Sequence, residues 1–111
     1  MKCFMEDNIM PDKYSSKKVL LSPASEEVMQ TVGHQIQMAR KRRRLSMKLV
    51  AERAAISHST LWKIEKGDPG VAIGAYLRVL NAIGLGNDML LLAKDDELGR
   101  ILQDAELERR R

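Results

Sequence analysis

Two short amphipathic segments, separated by three residues, constrain the fold of this chain more than any other feature. Both repeat apolar side chains at helical spacing: Leu49, Val50 and Ala54 in residues 47–54, and Leu61 and Ile64 in residues 58–66. Each segment follows a serine, Ser46 or Ser57, and serine is a preferred helix N-cap. Two capped helices joined by so short a turn must cross closely. We therefore predict a helix-turn-helix over residues 46–66.

Another helix is predicted upstream of this pair. Ser22-Pro23 is typical of a helix start, because serine caps the helix and proline suits its first position. An apolar stripe at three- and four-residue spacing then predicts a helix over about residues 24–43; the stripe consists of Val28, Val32, Ile36 and Ala39. Gly33 lies within this helix, and we expect it to weaken the helix by about 1 kcal/mol relative to alanine.

Further helices are predicted downstream, after Gly67 ends the second helix of the pair and residues 68–70 form a turn. A helix over about 73–84 has an apolar inner face, made of Ile73, Tyr76, Leu77, Leu80 and Ile83. Asn87 or Asp88 then caps a short apolar helix. The tail has helical propensity and carries Leu98, Ile101, Leu102 and Ala105 on one side.

A chain of 111 residues suits one compact domain with tails. We predict a flexible N-terminal arm over residues 1–21, a helix-turn-helix domain over 22–93, and a helical C-terminal tail over 94–111. The sequence has no convincing strand pattern, so the predicted class is all-α.

Positive charge is concentrated in one part of the chain. Residues 40–66 contain nine Lys and Arg and two acidic residues, a balance of +7, whereas the rest of the chain has a balance of −3. A DNA-binding surface requires such a concentration of cations. The charge distribution therefore favours a double-stranded DNA partner.

Other classes of protein fit the sequence poorly. The single cysteine, Cys3, cannot form an internal disulfide and suits a reducing compartment. No apolar run approaches the roughly 20 residues that span a bilayer, and the N-terminus lacks a signal peptide pattern. No catalytic set is spaced usably, and His34 and His58 lack further ligands nearby for a metal site. We expect a cytoplasmic protein without enzymatic activity, metal, cofactor or membrane association.

The segment A-R-K-R-R-R-L-S-M-K-L-V-A-E-R-A-A-I-S-H-S-T-L-W-K-I-E-K-G, residues 39–67, resembles the Cro/C1-type helix-turn-helix domain of phage repressors and bacterial antitoxins. The resemblance extends over about residues 29–93. It implies an all-α, five-helix, lambda-repressor-like domain. Within this family, residues 74–93 (G-A-Y-L-R-V-L-N-A-I-G-L-G-N-D-M-L-L-L-A) resemble HipB-type antitoxins, which pair with HipA-like Ser/Thr kinase toxins.

The resemblance implies roles for residues of the second helix of the pair. His58, Ser59 and Lys63 fall where the family's recognition helix meets base edges, and Lys63 is suited to donate to guanine. Thr60 is a further candidate for a thymine methyl group or a phosphate. In the family, the position of Trp62 lies beside the groove, so we expect its ring to contact a sugar or thymine methyl group or to pack on an adjacent side chain.

Other positions correspond to contacts with phosphate or to internal support. The predicted phosphate-contacting residues are Ser46, Lys48, Ser57, Lys66 and Arg43. The resemblance also pairs Arg40 with Glu65 in a buried salt bridge that joins the first helix to the recognition helix. Met47 departs from the family, which often has glutamine there, so this position lacks a side chain that could form a bidentate contact with DNA.

The resulting functional hypothesis is a sequence-specific repressor that binds a palindromic operator as a homodimer. In its antitoxin version, the protein also binds a HipA-like kinase toxin and represses its own operon. Two alternatives remain open: a phage-type or host regulator without a toxin, and a protein-interaction adaptor with a vestigial helix-turn-helix.

Overall fold

The computed structural model describes residues 19–110, and this part of the chain contains six helices and no strand. The helices are α1 (Pro23–Arg42), α2 (Met47–Ala54), α3 (His58–Glu65), α4 (Ile73–Ala82), the 3-10 helix η1 (Gly86–Leu91) and α5 (Glu97–Arg109). The predicted arm lies outside the described residues up to residue 18. Its last residues, 19–21, form no regular structure, and Val19 and Leu20 are exposed.

Side-chain caps set the starts of the first three helices. The hydroxyl groups of Ser22, Ser46 and Ser57 each accept a hydrogen bond from the backbone N–H three residues later, at 3.2, 3.1 and 3.0 Å. Pro23 occupies the first turn of α1. These starts agree with the prediction to within one residue, because capping depends on local sequence.

The short apolar helix expected after Asn87 or Asp88 is present, but it begins earlier and its predicted cap is wrong. Residues 86–91 form a 3-10 helix whose N-cap is Leu85, without a side-chain cap. Gly84 adopts a left-handed φ of +84° at the end of α4, and the Leu85 N–H donates to the Leu80 carbonyl at 2.7 Å. The chain has therefore already turned before Asn87 or Asp88 could act as a cap.

One hydrophobic core lies between the first four α-helices. Its members are Ile36 and Ala39 of α1, Val50, Ala51 and Ala54 of α2, Leu61 and Ile64 of α3, Tyr76 and Val79 of α4, and Ile83. Contacts join α1 to α3, α2 to α3, α2 to α4, and α4 to η1. The core thus holds the α2–α3 pair between two supporting helices.

The inner faces of α1 and α4 differ in part from the predicted ones. Ile73 and Leu77 are exposed, whereas Val79, absent from the predicted face, is fully buried. The direction in which α4 packs against α2 and η1 determines that Tyr76, Val79 and Ile83 are buried. Residue spacing alone does not predict this direction.

Val28 and Val32 are exposed as well, because the N-terminal half of α1 borders an open groove instead of the core. The groove has a volume of about 580 Å³ and mainly apolar walls from α1, α4 and η1. Its walls include Val28, Val32, Ile73, Leu80, Met89 and Leu92.

The last helix, α5, packs little on the rest of the described chain. Its predicted apolar side is exposed, with Leu98, Ile101 and Leu102 all more than half accessible. Glu106 pairs with Arg109 and Arg110 at the helix end. Among residues 19–110, no helix has both the length and the apolar character needed to cross a bilayer.

Candidate nucleic-acid interface

The α2–α3 pair has the geometry of a helix-turn-helix. α2 ends at Ala54, and its C-cap residue, Ala55, adopts a left-handed φ of 58°. The N–H of Ile56 then donates to the Ala51 carbonyl at 3.1 Å. This turn brings the chain to Ser57, which caps α3. Each helix has eight residues, and the N-terminal turn of α3 carries side chains that face solvent.

The opposite side of α3 is fixed in the core. Leu61 and Ile64 are completely buried. Glu65 also points inward, and its carboxylate accepts two hydrogen bonds from the Arg40 guanidinium, at 2.6 and 3.0 Å. A third N–H of Arg40 donates to the Leu45 carbonyl at 3.0 Å. Arg40 and Glu65 are only 7% and 5% exposed, so this ion pair joins α1 to α3 inside the protein.

Two glycines bring α1 and the end of α3 into backbone contact. A Cβ atom on Gly33 would lie 2.6 Å from the Gly67 nitrogen and 2.6 Å from the Ile64 carbonyl oxygen. A Cβ on Gly67 would meet the Met29 carbonyl, and Gly67 has a left-handed φ of +79°. Gly33 is thus required for this close approach, a role that helix propensity did not reveal.

The turn after α3 is held from the other side by α4. The Tyr76 hydroxyl donates to the Asp68 carbonyl at 2.7 Å, and the Asp68 carboxylate accepts from the Gly70 N–H at 2.7 Å. Burial, with the nearby Asp68 charge, raises the pKa of Tyr76 to about 12. Tyr76 therefore stays a neutral hydrogen-bond donor at pH values above those at which tyrosine ordinarily ionises.

The predicted base-contacting residues occupy different environments. His58, Ser59 and Lys63 are exposed on α3. Thr60 is half-buried, and its hydroxyl accepts a hydrogen bond from Ser57 Oγ at 2.9 Å. Thr60 therefore takes part in the cap of α3, which leaves three freely exposed candidates along this helix.

The predicted phosphate-contacting residues are all exposed, but they differ in what their polar groups already do. Ser46 and Ser57 use their hydroxyl oxygens as caps, and Ser57 also donates its proton to Thr60. Arg43 donates to the Ala39 carbonyl at 3.1 Å, which folds it back onto α1. Lys48 lies exposed in the first turn of α2, and Lys66 caps the C-terminus of α3.

Two side chains near these positions have clear roles in the structure. Met47 is half-buried and packs against the core, so the methionine that stands where the family often has glutamine makes apolar contacts. Trp62 is 53% exposed on α3, and the Lys66 ammonium lies 5.5 Å from its ring centroid. Within residues 19–110, no three His, Cys, Asp or Glu side chains are grouped to hold a metal ion.

Comparison with known proteins identifies the same region. A family model described as a helix-turn-helix domain matches residues 31–92, more than half of the chain. The match extends from the middle of α1 through η1 and contains the whole α2–α3 pair. No curated protein and no solved structure matches the chain significantly.

Proposed function

This chain belongs to the helix-turn-helix domain family, and from that premise we propose that it is a sequence-specific, double-stranded DNA-binding repressor without enzymatic activity. The domain would occupy residues 22–93 in a lambda-repressor-like arrangement and act in the bacterial cytoplasm. One observation carries the proposal: α3 is fixed in the core along one side and presents His58, Ser59 and Lys63 to solvent along the other. A rigid helix with free polar side chains is suited to the major groove.

The cations around α3 support the same proposal. Lys48, Lys63 and Lys66 are exposed on or beside the two helices, and Arg42 and Arg44 are exposed at the end of α1. Contacts with phosphate oxygens orient a protein on DNA, while contacts with base edges give specificity. We assign Lys48 and Lys66 to phosphates and Lys63 to a base. The capping serines would contribute through backbone N–H groups at the two helix starts.

Lys63 provides the test of base recognition. The preferred site is first isolated by selecting duplexes from a random library with the full chain. We then expect Lys63→Ala to weaken binding to that site by about 1–3 kcal/mol and to change binding to a scrambled duplex little. Lys94→Ala, which removes an exposed lysine outside α2 and α3, is the matched control and should bind both duplexes normally.

Salt dependence separates the repressor from a vestigial domain in a protein-interaction adaptor. Each phosphate contact makes the slope of the logarithm of the DNA-binding constant against the logarithm of the salt concentration more negative by about 0.9. We expect a steep negative slope for the wild-type chain. A flat salt response, or equal losses of Lys63→Ala on selected and scrambled duplexes, would contradict the proposed DNA recognition.

The proposed repressor acts as a homodimer on a palindromic operator. Two half-sites about 34 Å apart would combine two small sets of base contacts. Exposed leucines along η1 and the apolar side of α5 supply surface for self-association through α4, η1 and the tail. Selection of an asymmetric site bound by one chain would contradict this part of the proposal.

The narrower proposal is that the protein is an antitoxin that binds a HipA-like kinase toxin and represses its own operon. It rests on the resemblance of residues 74–93 to HipB-type antitoxins. A kinase-like gene in the same operon, and co-purification of its product with this chain, would support it. A pull-down that contains no such partner would remove the antitoxin role and leave the DNA-binding proposal intact.

A further inference from the structure

The only tryptophan of the chain lies among the cations proposed to contact DNA. Trp62 is in the middle of α3, and more than half of its side chain is accessible. Its indole ring has the Lys66 ammonium 5.5 Å from its centroid. The two residues are one helical turn apart, a spacing that places side chains on the same face. The exposed ring therefore already has a cationic partner in the protein without DNA.

The backbone of Lys66 is held firmly, so only its side chain can move freely. Its N–H donates to the carbonyls of Trp62 and Lys63, both at 3.1 Å. The next residue, Gly67, is buried against α1. The Asp68 N–H also donates to the Lys63 carbonyl, at 3.0 Å. A flexible four-carbon side chain thus begins at a fixed point beside the proposed recognition surface.

We propose that Trp62 is a positioning residue whose ring holds the Lys66 ammonium in the orientation from which it contacts a DNA phosphate. The proposal rests on the proposed DNA-binding function. A free lysine side chain loses much rotamer freedom when it binds phosphate. The electron-rich ring face attracts the cation before binding, and the other side of the ammonium keeps its N–H donors free. Part of the ordering cost is therefore already met in the free protein.

A different role for Trp62 predicts a different dependence on Lys66. If the ring itself packs on a sugar or a thymine methyl group, its removal weakens DNA binding whether or not Lys66 is present. If the ring acts through Lys66, its removal has no effect once the ammonium is gone. A double-mutant cycle between the two positions separates these roles.

The experiment uses the full chain and a random-sequence duplex, because a phosphate contact needs no operator. Trp62→Leu removes the aromatic face, Trp62→Phe retains one, and Lys66→Met removes the cation. We expect Trp62→Leu to weaken binding about two- to fivefold, with most of the affinity recovered in Trp62→Phe. Lys66→Met should weaken binding and make the salt slope shallower by about one. Trp62→Leu should have no further effect in the Lys66→Met protein.

A control background shows that this dependence belongs to Lys66. In the Lys63→Met protein, Trp62→Leu should still weaken binding two- to fivefold, because Lys63 is a separate cation on α3. Urea unfolding of every variant verifies that each is folded at the assay temperature. Equal effects of Trp62→Leu with and without Lys66 would overturn the positioning role. Failure of the wild-type chain to bind any duplex would instead refute the proposed function itself.

Discussion

Replacement of Gly33 by alanine tests whether the contact between α1 and α3 determines stability at this position. Helix propensity alone predicts that Gly33→Ala stabilises the protein by about 1 kcal/mol, because alanine favours the helix interior. The structure predicts the opposite sign. An added Cβ would lie 2.6–2.8 Å from three backbone atoms, which belong to Ile64, Glu65 and Gly67.

The size of the effect follows from what must move. Restoring ordinary contact at 3.4 Å requires the two backbones to separate by up to about 0.8 Å. A backbone atom cannot rotate away as a side-chain end can, and the same helices are joined by the Arg40–Glu65 pair at 2.6 Å. Overpacking of this kind costs about 1–3 kcal/mol. After subtraction of the gain of about 1 kcal/mol in helix propensity, we expect Gly33→Ala to destabilise the protein by up to about 2 kcal/mol.

Urea unfolding followed by circular dichroism measures this difference. Gly74→Ala is the matched control, because Gly74 is also helical but its added Cβ would meet no atom within 4 Å beyond its neighbours and the backbone of its own helix. We expect that control to be neutral or more stable by up to about 1 kcal/mol. If Gly33→Ala matched the control in sign and size, the backbone contact between α1 and α3 would not be the reason for glycine here.

Two further predictions concern buried polar groups. Glu65→Gln leaves the Arg40 charge buried without a counter-charge and should lower the free energy of unfolding in urea by about 3–5 kcal/mol. The control Asp95→Asn breaks the exposed pair with Arg100 and should change this free energy by less than about 1 kcal/mol. Similar losses in the two variants would contradict the structural role of the buried pair. Folding raises the pKa of Tyr76 from 10.0 to about 12. The free energy of unfolding therefore includes about 2–3 kcal/mol from this shift, which is fully present below pH 10 and is lost as the pH rises through 12. The Tyr76→Phe protein should lack this pH-dependent loss of stability, although its lysines titrate as in the wild-type chain. If the free energy of unfolding depended on pH identically in the two proteins, the role of Tyr76 would be refuted.

The α2–α3 pair could be predicted because its signals are local. Ser46 and Ser57 each cap the helix that follows, and Gly67 ends α3 with a left-handed φ. Such features depend on neighbours within a few residues. The inner face of α4 depends instead on the direction in which α4 crosses α2. The spacing therefore predicted Ile73 as inward and missed Val79, although both are aliphatic residues on one helix.

The sequence names the candidate residues of the site, but it does not reveal how the fold uses each side chain. A motif assigns Ser57 and Thr60 to DNA, but neither spacing nor charge tells that their hydroxyl groups bond to each other in the cap. Likewise, Gly33 carries no signal beyond weak helix propensity, since its close contact is with residues about thirty positions away in the chain. Tertiary contacts decide these roles.

Met47 shows how such contacts bear on specificity. Its half-buried side chain packs against the core at the start of α2, a use for which an amide side chain is poorly suited. Methionine at this position therefore adds to the stability of the fold and supplies no polar group for a contact with DNA. In the proposed function, base recognition relies on His58, Ser59 and Lys63, the predicted base-contacting residues that are exposed on α3, whereas Thr60 is half-buried and takes part in the cap. With so few base contacts per chain, a single domain would discriminate weakly, and this is the physical reason to expect that two chains bind a palindromic site together.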